Sequence, residues 1–133
     1  MGAAVIISGD INTNTARGMC PHNTDATVLS VFVEYRSSVV VGTRQLCVEM
    51  LDIFANVAGQ VRVGVTQAAN LTYHYQLSPT CADLVVVRDG NWIMTPLPIW
   101  VLSTGEFLRI RDLADIDAVG DRMRVFVSGL VEP

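Results

Sequence analysis

The sequence contains no lysine. All nine of its basic residues are arginines: Arg17, Arg36, Arg44, Arg62, Arg88, Arg109, Arg111, Arg122 and Arg124. A GC-rich coding sequence produces such a bias. The physical consequence is the same whatever the cause, because guanidinium forks suit paired contacts with carboxylates and the surface forgoes the strongly hydrated ammonium. An excess of positive charge is missing as well. A net charge of −4 argues against a general nucleic-acid binder, which draws its affinity from neutralising phosphates. Long hydrophobic runs are also absent. Val39-Val40-Val41 and Leu84-Val85-Val86-Val87 fall far short of a membrane span. The apolar start Ala3–Ile7 has no basic residues before it and makes a poor signal peptide, and Met1-Gly2 lacks the Ser or Thr that myristoylation requires. The expectation is a soluble chain with neither membrane nor nucleic acid among its partners.

Cysteine is scarce. Cys20, Cys47 and Cys81, taken with His22 and His74, match no ligand-pair spacing, so free thiols made in a reducing place are expected, with no metal and no cofactor. The acids Asp112, Asp115, Asp117 and Asp121 lack the alternating oxygens and closing Glu of a calcium loop. They read as a solvated turn with Asp115 capping a short helical turn. Catalytic patterns are missing too. Ser128 has no nucleophile-elbow context, and Glu34, Glu49 and Glu106 are a combination that any chain of this size offers. No enzyme is expected.

What is present is alternation. Leu29, Val31, Val33 and Tyr35 fall on one strand face, opposite Ser30 and Glu34. Val61, Val63 and Val65 alternate with Arg62, Gly64 and Thr66, and Leu71, Tyr73 and Tyr75 alternate with Thr72, His74 and Gln76. Leu46–Phe54 reads as strand from its context, with a short helix as the alternative. Leu84–Val87 is an apolar run bounded by the turn Asp89-Gly90-Asn91, and Pro96 and Pro98 confine Thr95–Ile99 to an edge or an extended connection. Gly105–Arg111 and Arg122–Ser128 read as a final antiparallel pair around the acidic connection, which would put Arg109, Arg111, Arg122 and Arg124 on one hairpin.

These patterns predict an all-β fold, an antiparallel β-sandwich or jelly roll with short turns and at most one or two short helices, confined to Leu113–Val119 and Leu46–Phe54. Residues 1–25 read as an N-terminal strand followed by a polar segment, either a mobile arm or ordered against a neighbour, and residues 26–133 as a single β-sandwich domain. The four arginines, with Tyr73, Tyr75 and Trp92, are the candidate interface residues. Half of the residues are apolar and only 17% are charged, so a homo-oligomer, a dimer or trimer, is expected.

Three segments carry a resemblance: Gly64–Tyr75, Pro96–Ile110 and Ile116–Met123. Their order of proline, apolar run, small residue with glycine, strand, acidic turn and strand is similar to small β-sandwich virion accessory proteins of tailed bacteriophages, over residues 60–128. The resemblance implies a structural virion protein, most directly a capsid cement or decoration protein whose partners are the major capsid protein or other virion proteins. Its location would be the virion, assembled in the host cytoplasm. The alternatives are a neck, tail or fibre-associated β-module, and a carbohydrate-binding module using Tyr73, Tyr75 and Trp92.

Overall fold

The computed structural model describes residues 3–11, 15–19, 25–114, 116–117 and 119–131. Ten strands follow one another: β1 (Ala3–Ile11), β2 (Thr15–Met19), β3 (Ala26–Arg36), β4 (Arg44–Leu51), β5 (Val57–Gln67), β6 (Thr72–Ser78), β7 (Trp92–Pro96), β8 (Val101–Leu102), β9 (Phe107–Asp112) and β10 (Arg122–Val131). Sheet A runs β1-β10-β3-β6-β7, with β8 added beside β3, and sheet B runs β2-β9-β4-β5. The expected all-β sandwich is what forms. Leu46–Leu51 lies within strand β4, so its helical stripe is overridden by pairing with β5 and β9.

Each sheet turns one face inward, and the period-two positions fill the space between them. Val31, Val33 and Tyr35 of β3, Tyr75 and Leu77 of β6, and Met123, Val125 and Val127 of β10 meet Leu46 and Val48 of β4, Val63 of β5, and Leu108 and Ile110 of β9. Each such side chain, fully buried, contributes about 1.5–3 kcal/mol before conformational entropy is subtracted. Leu29 departs from the alternation and is exposed, while Val28 and Ala26 point inward. The cause is a register shift where β3 meets Ser128 and Gly129 of β10. A Cβ at residue 129 would come within 2.5 Å of the Thr27 carbonyl oxygen, so the irregularity needs glycine there.

Two expectations are corrected. First, β9 and β10 are not a hairpin: β9 pairs with β2 and β4 in sheet B, and β10 with β1 and β3 in sheet A. The acidic connection spans the two layers instead of closing a turn within one. Second, the described residues of that connection hold no helical turn, and Asp115 lies outside them. The apolar run Leu84–Val87, for its part, is neither a strand nor buried. β6 and β7 are parallel, the one parallel pairing among the described strands, and parallel neighbours need a return connection. The apolar run lies in that connection. It forms a single 3-10 turn at Val85–Val87, and its four side chains stand 55–92% exposed.

The proline-bearing stretch behaves as the rule for proline requires: Pro96 ends β7 at the edge of sheet A. Of the N-terminal segment, Ala3–Ile11 pairs with β10 and Thr15–Met19 pairs with β9. No helix among the described residues is long and apolar enough to cross a membrane.

Candidate functional site

Two strands carry the same pattern, arginine at alternate positions, and the fold sends them to opposite sides of the sandwich. On the outer face of sheet B, Glu49 of β4 sits between Arg109 of β9 and Gln60 of β5 in register. Arg109 brings Nη2 to 2.7 Å and Nε to 2.8 Å of Glu49 Oε1. Gln60 Nε2 donates to Oε2 at 2.8 Å, and Arg62 Nε donates to Gln60 Oε1 at 3.1 Å. Arg111 Nη2 donates to Oε2 at 3.4 Å, and its Nε lies 2.9 Å from Oε1, close enough for an ion pair but off the hydrogen-bond line. These groups cover the Glu49 side chain to 1% exposure. Burial is the largest single influence and opposes its ionisation, yet the hydrogen bonds from Arg109, Gln60 and Arg111 together outweigh it. The carboxyl is held below the usual carboxylate range. Beside it, Cys47 is buried, and burial with the Glu49 charge pushes its thiol up to about 11. A thiol so shifted is chemically inert at neutral pH.

The outer face of sheet A is built differently. Four rings cross it from strand to strand: Phe126, Phe32, His74 and Trp92. Phe126 and Phe32 are register partners with centroids 5.9 Å apart, and His74 and Trp92 stack at 4.5 Å and 18°. Phe32 closes the row at 5.7 Å from Trp92. His74 stacks on Trp92 and on Phe32, while Phe32 meets Phe126 and Trp92 tilted at 46° and 41°, so the row is a cross-strand ladder of packed rings and not a flat platform. Arg124 lies over Phe126 at 5.1 Å from the ring centroid. Next to the ladder, Glu34, Arg36, Arg122 and Arg124 line an open depression of about 140 Å³. Its ionic contacts are long: Arg36 Nη2 to Glu34 Oε1 is 4.0 Å, and His74 Nδ1 to Glu34 Oε2 is 3.9 Å.

A third polar cluster lies inside, where the acidic connection enters and leaves the sandwich. Arg44, fully buried, grips Asp121 with Nε at 2.9 Å and Nη2 at 3.1 Å. Its remaining donors reach the carbonyls of Gly42 and Val40, each at 2.9 Å. Asp121 also accepts the Ser38 N–H at 2.8 Å, and the Tyr35 hydroxyl stands 3.1 Å from Asp121 and 2.9 Å from Asp112. Burial opposes the Asp121 charge most, and Arg44, the Ser38 N–H and Tyr35 overcome it to lower its pKa. Burial, then Asp112 and Asp121, raises that of Tyr35. The two end acids of the supposed solvated turn are therefore internal anchors, which their spacing alone did not reveal. The signal available was a lone Arg at the head of an apolar strand, a charge that must find a partner once buried.

The predicted site residues divide accordingly. Arg109 and Arg111 belong to the Glu49 cluster, and Arg122 and Arg124 to the sheet A depression, so one hairpin face does not exist. Tyr75 is buried on the inner face, its hydroxyl bonded to Gln67 Oε1 at 2.9 Å. Tyr73 packs against the core from the same face, whereas Trp92 faces out. The three do not form one surface. Of the residues considered as metal ligands, Cys20 and His22 lie outside the described residues, and no group of three potential ligands comes together among the described ones. Large apolar side chains are exposed on several connections: Val39, Val40 and Val41 before β4, Ile53 and Phe54 between β4 and β5, and Leu84–Val87 between β6 and β7.

No protein-family profile matches this chain, and no curated protein matches it.

Proposed function

We propose that the protein is a structural virion protein, a decoration subunit that binds coat subunits of a phage head and holds them together. What supports this reading is the placement of its apolar surface. Most of the exposed large side chains stand on connections outside the packed core, above all the four consecutive residues Leu84–Val87. Apolar surface in that form is what a subunit offers to a neighbour. A ligand that binds only the assembled shell stabilises it by mass action, and the effect is multiplied over symmetry-related sites. The neck, tail or fibre alternative uses the same surfaces on a different part of the particle. The carbohydrate alternative loses the platform it was argued from, since Tyr75 is internal.

The test is co-sedimentation of the purified protein with shells that lack it. Binding that saturates, together with a higher shell melting temperature, is the expected result. Val86→Asp, at the most exposed of the four positions, should weaken binding without lowering the protein's own stability. Failure to sediment with heads, or sedimentation with tails alone, overturns the decoration reading.

A further inference from the structure

We propose that Arg36 and Arg122, on the outer face of sheet A, form an oxyanion-recognition site whose occupant is a carboxylate on an acidic segment of a partner protein. The argument begins with register. Across one row of the sheet, Asp10 stands opposite Arg124, Arg124 opposite Glu34, and Glu34 opposite His74. Arg124 and Glu34 carry charges of opposite sign. In the next row Arg122 stands opposite Arg36, and Arg36 opposite Thr72. Two guanidinium groups thus face each other across adjacent strands, an arrangement that costs stability when nothing lies between them. Among the described residues Arg122 pairs with no carboxylate, and the only acid near Arg36 is Glu34 at 4.0 Å. Arg124 is drawn aside over the Phe126 ring. The depression that these side chains line is open to solvent, with Arg36 63% exposed.

An oxyanion placed between two such forks accepts charge-assisted hydrogen bonds from both and removes their repulsion. A carboxylate on a protein segment fits better than a nucleic-acid backbone. The chain as a whole carries −4, and its repulsion grows with the number of charges a ligand carries, so a long phosphate backbone is opposed more than a short acidic segment. The inference deepens the decoration reading and rests on it for the kind of partner, but its test does not.

A fluorescent oligoglutamate peptide is titrated against the isolated protein and followed by anisotropy. Inorganic phosphate and a thymidine oligonucleotide serve as competitors. The expected result is saturable binding that weakens with added salt and falls about tenfold in Arg36→Gln/Arg122→Gln. Arg62→Gln, on the other face, leaves it unchanged. The double variant should melt no lower than the parent without peptide, which shows that its fold is intact. No peptide binding, or equal binding by the double variant, overturns the site. Tighter binding of phosphate or oligonucleotide than of peptide overturns the assigned occupant. Should the peptide fail while the protein still sediments with shells, this inference falls and the decoration reading stands. If the peptide binds and shells do not, the reverse holds.

Discussion

On the outer face of sheet B, three arginines, Arg62, Arg109 and Arg111, attend one carboxylate, directly or through Gln60, and bury it. On the outer face of sheet A, three arginines, Arg36, Arg122 and Arg124, line a depression with one carboxylate, Glu34, that stays partly exposed. Glu49 is 1% exposed and Glu34 is 27% exposed. The arginines are equal in number and the outcome is not, because Arg109 closes on its opposite glutamate while Arg124 lies over an aromatic ring. Glu49 has Arg109 on one side and Gln60 on the other. In sheet A, Glu34 likewise has Arg124 on one side and His74 on the other, but Arg124 turns over Phe126, and the next row sets Arg122 against Arg36. One face is a finished network that stiffens the sheet. The other retains unmet hydrogen-bonding capacity, and a surface of that kind is suited to meeting something else.

The Arg44–Asp121 pair is the limit of the finished kind, and it gives the largest expected effect. Asp121→Asn leaves a buried guanidinium without its counter-ion and should lower stability by about 3–5 kcal/mol, read as a shifted urea midpoint. Next, Glu49→Gln should cost about 2 kcal/mol, the scale of a lost charged hydrogen-bond network. Glu34→Gln should stay within about 0.5 kcal/mol, as for exposed pairs. Equal costs for the two glutamates would erase the comparison.

Acid sharpens it further. The carboxyls of Glu49 and Asp121 are held below their ordinary values. Their contribution is therefore complete above the unfolded carboxylate pKa of about 4 and is lost as pH falls from there through the depressed folded values. Melting temperature followed from pH 7 to pH 2 should drop below about pH 4, and the drop should be shallower in Glu49→Gln. The smallest effect belongs to the open face. Arg122→Gln, by relieving its repulsion with Arg36, should raise stability by no more than about 0.5 kcal/mol at low salt, and the gain should vanish as salt screens the pair.

The sequence carried the layers and left the assignment of strands to layers open. Alternation in β3, β5 and β6 was legible because one face of each is buried and the other is wet. The two arginine-bearing strands β9 and β10 were legible as strands, but nothing in an Arg-x-Arg repeat says which sheet receives it. That is fixed by long-range pairing with β4 and with β3. The apolar run Leu84–Val87 misleads for a related reason: a parallel neighbour forces that stretch to serve as the return connection, whatever its hydrophobicity. At Leu29 the period fails because of an irregularity whose cause sits in another strand, at Gly129. Asp112 and Asp121 looked like surface acids since burial of a charge becomes visible only with its partner, and Arg44 is far away in the chain.

The pairing of β1 with β10 also has a consequence in time. These strands are register partners from Ala3 with Val131 to Ile11 with Met123, and nearly the whole chain separates them. During synthesis β1 emerges before β10 and waits for its neighbour until β10 has left the ribosome, so sheet A cannot close before then. Contacts of such high sequence separation place folding in the slow range for a small domain, milliseconds to seconds. In that interval an unpaired β-edge is available to any other nascent copy.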